Sequence, residues 1–316
     1  MTLSKRQSFL IFSTISALMS VAIFPIQVLG TQPQPITGVQ QMNIFQSFFL
    51  GFVQGITEFL PISSTAHLKV IPVALGWGDP GVAFTAVIQL GSVAAVIWYF
   101  WADLARLFQG VVKALAQKDY NNYDFRLGLG IVLGTVPIVF FGILIKILVP
   151  DYDNSPVRSV GAIAFSSIVM SILLGIAEFV GKRQRDFEHL KMKDGLFMGL
   201  AQALSLIPGV SRSGSTLTAG LFVGLQRATA ARFSFLLGIP AITLAGLVES
   251  KNVLTGDTGI VSLVVGLISS AVFSYLAIAG LLRFLKTHSS WVFIWYRLIF
   301  GVVILAAIGA GVLNNS

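Results

Sequence analysis

The stretch GLAQALSLIPGVSRSGSTLTAGLFVG, residues 199–224, decides how the chain has to fold. One arginine, Arg212, stands among glycines and small hydroxyl residues in an otherwise apolar run. A charge at the centre of a bilayer costs about 2.5–3.5 kcal/mol on insertion scales, so it needs a partner. Pro208-Gly209 breaks the helix just before the arginine, and Gly214 follows just after. A broken helix presenting Ser211, Arg212, Ser213 and Thr216 has the chemistry of an anion site.

The setting of that stretch is a membrane. The chain is 55% hydrophobic and only 11% charged, and its mean hydropathy is +0.85. These values exclude a soluble globule, and apolar runs of about 20 residues mark spanning helices rather than barrel strands. The absence of Cys excludes disulfides, thiolate metal sites and Cys nucleophiles. The +8 balance reads as loop charge that sets topology, not as a nucleic-acid surface.

Residues 1–42 carry Lys5 and Arg6, an apolar run from Phe9 to Leu29, and then a polar linker. They read as a signal peptide, with Val28-Leu29-Gly30 as a cleavage site, or as an uncleaved anchor helix. Residues 43–316 read as one membrane-embedded domain. Six segments in it can span, at about 83–101, 126–149, 158–181, 232–248, 259–282 and 291–313. Helical hairpins near 43–75 and 194–225 have limbs too short for a hydrocarbon core of about 30 Å, at about 1.5 Å per residue. They read as re-entrant, with their broken backbone satisfied inside the protein.

Loop charge then orients the chain. The loop with Arg106, Lys113, Lys118 and Arg126 and the loop with Lys182, Arg183, Arg185, Lys191 and Lys193 fall on the inside. Asp151, Asp153, Glu249 and Asp257 fall on the outside, as the positive-inside rule requires. The chain also repeats. Gly51-Phe-Val-Gln54 matches Gly199-Leu-Ala-Gln202, Pro61 and its serines match Pro208 and its serines, and Phe84-Thr85 matches Phe233-Ser234. The expected fold is therefore all-α: six transmembrane helices and two re-entrant hairpins, in inverted-topology repeats over about 43–181 and 194–313. Such repeats place a site near the midplane, at their interface. The pairs Gly51/Gly55, Gly195/Gly199 and Gly220/Gly224 read as close-packing positions.

The first hairpin, GFVQGITEFLPISSTAHLKV, is the other place where polar groups crowd an apolar setting. Gln54 and Glu58 share a helix face, Pro61 breaks the chain, and Ser63, Ser64, Thr65 and His67 follow. Hairpins meeting tip to tip put Glu58, Ser64 and His67 opposite Ser211, Arg212, Ser213 and Thr216. Arg212 offers a planar fork to phosphate, and the helix N-terminus after Gly214 adds free N–H groups. A divalent cation held by Glu58 relieves the repulsion between that carboxylate and a diphosphate. His67 suits attack on phosphorus or general-base action on Ser64 or water. Against this stand plainer readings: hydroxyls bonded to their own backbone, Glu58 and Arg212 as a structural ion pair, Glu178 lying at the interface, and Lys146 snorkelling outward.

Two motifs carry a resemblance. Gln54-x-x-x-Glu58, continuing through FLPISSTAH to His67, and PGVSRSGST at 208–216 resemble the paired motifs of the undecaprenyl-diphosphate phosphatases, the bacitracin-resistance membrane phosphatases of bacteria. The similarity spans about residues 43–313. It implies removal of the terminal phosphate of undecaprenyl diphosphate, giving the lipid carrier for cell-wall precursors, and dependence on Mg²⁺ or Ca²⁺. It further implies a multi-pass protein of the bacterial inner membrane with its site on the periplasmic side. Glu58, Ser64, His67 and Arg212 are then the expected catalytic residues, with Glu58 as metal ligand. Gln54, Ser63, Ser211, Arg212, Ser213 and Thr216 are the expected phosphate-binding residues, and Ser64 or His67 the nucleophile or base. Expected partners are the lipid substrate and membrane lipids, with a homodimer admitted and nucleic acid excluded. A transporter or lipid flippase on the same scaffold is the rival reading.

Overall fold

A computed structural model describes residues 42–152, 155–254 and 259–315. The expected leader or anchor before Met42, and Asp153 and Asp257, lie outside the described residues. Among the described residues the secondary structure is helical, and the only extended pairing is an isolated bridge between Arg185 and Leu225.

The helices are α1 (Ile44–Phe59), α2 (Ser64–Ala74), α3 (Val82–Tyr99), α4 (Trp101–Gln117), α5 (Tyr123–Leu148), α6 (Val160–Val180), α7 (Met192–Ala203), α8 (Arg212–Phe222), α9 (Arg227–Leu254), α10 (Ile260–Leu285) and α11 (Trp291–Gly309). Five of them, α5, α6, α9, α10 and α11, are long and apolar enough to cross a membrane, and the bent pair α3–α4 brings the number to six. The pair bends by 72° at Phe100. The basic stretch after residue 101, expected as a loop, is helix α4. Hydropathy falls there because the helix is two-faced. Trp101, Phe108, Val112 and Leu115 form an exposed apolar side, while Arg106 is solvated.

Large apolar side chains such as Phe165, Phe179 and Ile260 point outward, while Gln54, Glu58, His67 and Arg297 are buried. That inverts the pattern of a water-soluble protein. Two close helix contacts hold the hairpins in place. Helix α1 packs on α10 and α7 packs on α5. A Cβ on Gly51 would stand 2.3 Å from the Gly266 carbonyl oxygen, and one on Gly199 would stand 2.2 Å from that of Gly134. Only glycine lets these backbones approach so closely. Gly224 differs from the packing role expected of it. It has φ +85°, and its carbonyl accepts the Gln184 and Arg185 N–H groups, so it is a turn glycine.

Glu178, expected to lie at the membrane interface, has protein partners. It is buried and takes the Arg227 guanidinium on both oxygens, with Arg183 NH1 3.6 Å away. A carboxylate at the end of an apolar helix has to be paired to stay inside, and the basic residues after 181 supply the partners.

Candidate active site between the two hairpin turns

Both hairpins turn in the same unusual way. Ser63 and Ser211 precede α2 and α8, and each has φ 73°. Non-glycine residues seldom hold this conformation, which costs about 1–3 kcal/mol and clusters at functional sites. Each serine then caps its helix. Ser63 Oγ accepts the Ala66 N–H at 3.4 Å, and Ser211 Oγ accepts the Gly214 N–H at 3.1 Å. Helix α8 therefore begins at Arg212, two residues earlier than the sequence suggests, and the Gly214 amide is already bonded.

Glu58 lies near the end of α1, one turn beyond Gln54, and is buried. Gln54 Nε2 donates to its Oε2 at 3.0 Å, and Ser64 Oγ donates to the same oxygen at 2.8 Å. Its Oε1 accepts from Gln89 Nε2 of α3 at 3.3 Å and from Arg212 NH2 at 3.1 Å. The two hairpins thus meet where the sequence placed them, through a carboxylate and a guanidinium 154 positions apart.

Arg212 is fixed from three sides. NH1 donates to the Ser234 carbonyl of α9 at 3.1 Å, the guanidinium carbon stands 5.8 Å from the Phe59 ring centre, and Gly238 leaves it room. A Cβ on Gly238 would stand 2.1 Å from NH1. Its Nε–H is buried and has no acceptor among the described residues. A buried charged donor left open is costly, so it is poised for an incoming acceptor. The expected phosphate-binding hydroxyls are otherwise engaged. Ser213 Oγ donates to the Leu60 carbonyl at 2.8 Å, tying one turn to the other. Thr216 Oγ1 donates to the Arg212 carbonyl at 2.8 Å and lies 2.5 Å from Ser234 Oγ. Ser211 and Ser213 hydroxyls are 3.2 Å apart.

His67 stands apart from Ser64 in its bonding. Its Nδ1 lies 2.7 Å from the Ser63 carbonyl oxygen and its Nε2 lies 2.7 Å from the Tyr296 hydroxyl. A carbonyl only accepts, so Nδ1 carries the proton, and neutral Nε2 accepts from Tyr296. The ring stacks on Tyr296 and Phe300, and it braces the strained Ser63 turn.

A buried charge at the hairpin turns was not singled out in the sequence. Arg297 of α11 is fully buried. It donates to the Pro61 carbonyl of the first turn at 3.1 Å, to the Gly209 and Val210 carbonyls of the second at 2.8 and 3.1 Å, and to Ser167 Oγ at 3.3 Å. The helix breaks leave these carbonyls without helical donors, and one guanidinium serves both turns. The sequence signal was present: a lone arginine inside an apolar span, the same signal that drew attention to Arg212. Gln89 was also missed as a site residue, and Ser234 entered only through the repeat match; both are uncharged polar residues outside the two hairpin motifs.

The repeat is chemically lopsided. Gln202 matches Gln54, but Leu206 stands where Glu58 stands in the first hairpin. Gln202 is buried with neither amide atom bonded among the described residues. The site is consequently built around a single carboxylate. Among the described residues no cluster of three or more His, Asp or Glu side chains could cage a metal ion.

Five or six helices able to cross a membrane, packed around two broken hairpins whose turns bring a carboxylate, a guanidinium and a serine together, define a polytopic membrane protein with a buried polar cluster. Comparison of sequences gives that class its family. The profile of the bacitracin resistance protein BacA family matches residues 47–303. The undecaprenyl-diphosphatase of Trichormus variabilis is 70% identical over 320 residues, covering 100% of both chains. That of Synechocystis sp. is 66% identical over 273 residues, covering 85% of this chain and 84% of its own. That of Trichodesmium erythraeum is 58% identical, covering 90% and 92%. The chain belongs to the bacitracin resistance protein BacA family.

Proposed function

We propose that the protein is an integral membrane phosphatase that hydrolyses undecaprenyl diphosphate to undecaprenyl phosphate and inorganic phosphate, regenerating a lipid carrier for cell-wall synthesis. The relatives reported above carry that activity in their names. One observation carries the chemistry: Glu58 touches Ser64 and Arg212 at once. Ser64 has its proton directed at a carboxylate, the arrangement that activates a serine. Arg212, its Nε–H open, takes oxygens of the terminal phosphate. Ser64 Oγ attacks the terminal phosphorus as its proton passes to Glu58, and the bridging oxygen leaves with the prenyl phosphate. Glu58 hands that proton to the departing bridging oxygen; water then attacks the phosphoserine, its proton passing to Glu58 and on to Ser64 Oγ as the bond from Oγ to phosphorus breaks and inorganic phosphate leaves. His67 holds the turn that aims Ser64.

A divalent cation, Mg²⁺ or Ca²⁺, fits this donor set only when shared with substrate. Mg²⁺ is typically bound by one or two carboxylates together with phosphate oxygens and water, and Glu58 is the one carboxylate here. Gln54 and Gln89 are amide neighbours able to orient its shell. Bound there, the cation would neutralise charge on the diphosphate.

The topology we propose has six spans, α3, α5, α6, α9, α10 and α11, with α1–α2 and α7–α8 as re-entrant hairpins in inverted repeats. Helices of 16, 11, 12 and 11 residues are too short to cross a core of about 30 Å. The loop charges put α1–α2 on the outer face of the inner membrane, so the site opens to the periplasmic side. A transporter reading is not retained, since the relatives' names describe hydrolysis. Phosphate release by purified protein tests the proposal. Wild type releases phosphate from undecaprenyl diphosphate and Arg212→Ala is slowed by about 10² or more; equal rates would remove Arg212 from the site.

A further inference from the structure

A small polar cleft of about 70 Å³ lies beside the site. Its inner end is lined by Gln54, Ser64 and Gln89, the residues that hold Glu58, and its outer end by Lys69, Asp79 and Arg158. Burial gives the direction. Gln54 is 1% exposed, whereas the Lys69 and Asp79 side chains are 21% and 47% exposed. The cleft therefore leads from solvent past a lysine to Ser64 and to the Gln54 and Gln89 side chains that bond Glu58.

We propose that Lys69 captures the anion: in the resting protein it is held by Asp79, and it exchanges that carboxylate for an oxygen of the incoming diphosphate on the way to Arg212. The inference rests on the phosphatase reading above. Its physical basis is the mismatch between the two bonds. Lys69 Nζ donates to Asp79 Oδ2 at 2.7 Å at a wet mouth, where an ion pair contributes only about 0–1 kcal/mol. A diphosphate carries more charge and more acceptor oxygens than one carboxylate, and it is drawn into a cleft whose low-dielectric walls focus the field.

Asp79 stays behind when the lysine leaves. Its Oδ1 accepts the Gly81 N–H at 2.9 Å, just before α3, and the Gly81 carbonyl in turn accepts the Thr85 hydroxyl at 3.1 Å. Lys69 sits on α2 only five residues past Ser64, so a shift of its flexible stem needs no movement of the site. Arg158 adds a second positive charge to the same outer wall. Asp79 then works against premature or weak anions: a ligand has to outcompete it, which favours a diphosphate over the singly phosphorylated product.

The test is steady-state kinetics of full-length protein in detergent with undecaprenyl diphosphate, between low and moderate NaCl, for wild type, Lys69→Met and Asp79→Asn. The expected result for Lys69→Met is a fall in kcat/KM of about tenfold, with kcat within about twofold and a shallower salt dependence. Asp79→Asn, which keeps an oxygen for Gly81, is expected to lower KM and to bind product phosphate more tightly. Wild-type kcat/KM and salt slope in Lys69→Met would overturn the capture role while phosphate release still upheld the phosphatase. A loss in Asp79→Asn equal to that in Lys69→Met would also overturn it, because the pair would then act as a structural brace. If Lys69→Met does not survive purification, Asp79→Asn decides: a lower KM with tighter phosphate binding upholds capture, and an unchanged or higher KM overturns it.

Discussion

Gly238→Ala offers the sharpest separation of catalysis from folding. The new Cβ would stand 2.1 Å from Arg212 NH1 and 2.6 Å from its guanidinium carbon. Ordinary contact lies near 3.5 Å, so the guanidinium must retreat by more than about 1 Å. Its bond to Glu58 is already 3.1 Å, and a retreat of that size takes it beyond hydrogen-bond range. What moves is the far end of a long side chain, since the three atoms nearest that Cβ all belong to the Arg212 guanidinium. The fold is therefore expected to hold, with a thermal midpoint in detergent within about 3 °C of wild type. Misplacing a catalytic group by about 1 Å costs on the order of 10²-fold in rate, and that loss is the expected effect on kcat for phosphate release. A Gly238→Ala protein with wild-type kcat would refute the claim that the placement of Arg212 matters.

Other outcomes follow from the same geometry. Arg297→Gln leaves at least two of the three turn carbonyls without their donor, at about 1–3 kcal/mol each. It is expected to lower the thermal midpoint by about 5 °C or more and to slow phosphate release, and an unchanged melt would show that the turns do not depend on it. Gly199→Leu drives a side chain into the Gly134 backbone of α5, so the yield of monodisperse protein should fall sharply, whereas Ala at the exposed Leu200 should not change it. Removing divalent cations with a chelator should abolish phosphate release and adding Mg²⁺ should restore it; full activity in excess chelator would remove the shared-cation proposal.

The sequence exposes the site because membrane burial makes polar residues conspicuous. Arg212, Glu58 and the serines stood out against apolar surroundings, and the matched turns predicted the contact between them. What stayed hidden depends on three-dimensional neighbours. His67 looks like a base in a motif, yet its two ring nitrogens are taken by Ser63 and Tyr296, the latter 229 positions away. Gly238 is one of many glycines until Arg212 is seen against it. Helix α4 was masked as a loop because its charged face lowers the local hydropathy while its apolar face continues the periodic pattern. Arg297 gives a weaker signal than Arg212 because its immediate neighbours, Trp295-Tyr296 and Leu298-Ile299, are large apolar or aromatic residues rather than serines. Its ligands are carbonyls of residues up to 236 positions away.

The most direct measurement of the central claim is phosphate release from undecaprenyl diphosphate by purified wild type, Ser64→Ala and Glu58→Gln at saturating substrate. Wild type should turn over, and both variants should fall by about 10² to 10⁴, with Ser64→Ala melting like wild type. Turnover by Ser64→Ala and Glu58→Gln at the wild-type rate would contradict the account, since the carboxylate and serine that join the two hairpins would then have no part in the reaction.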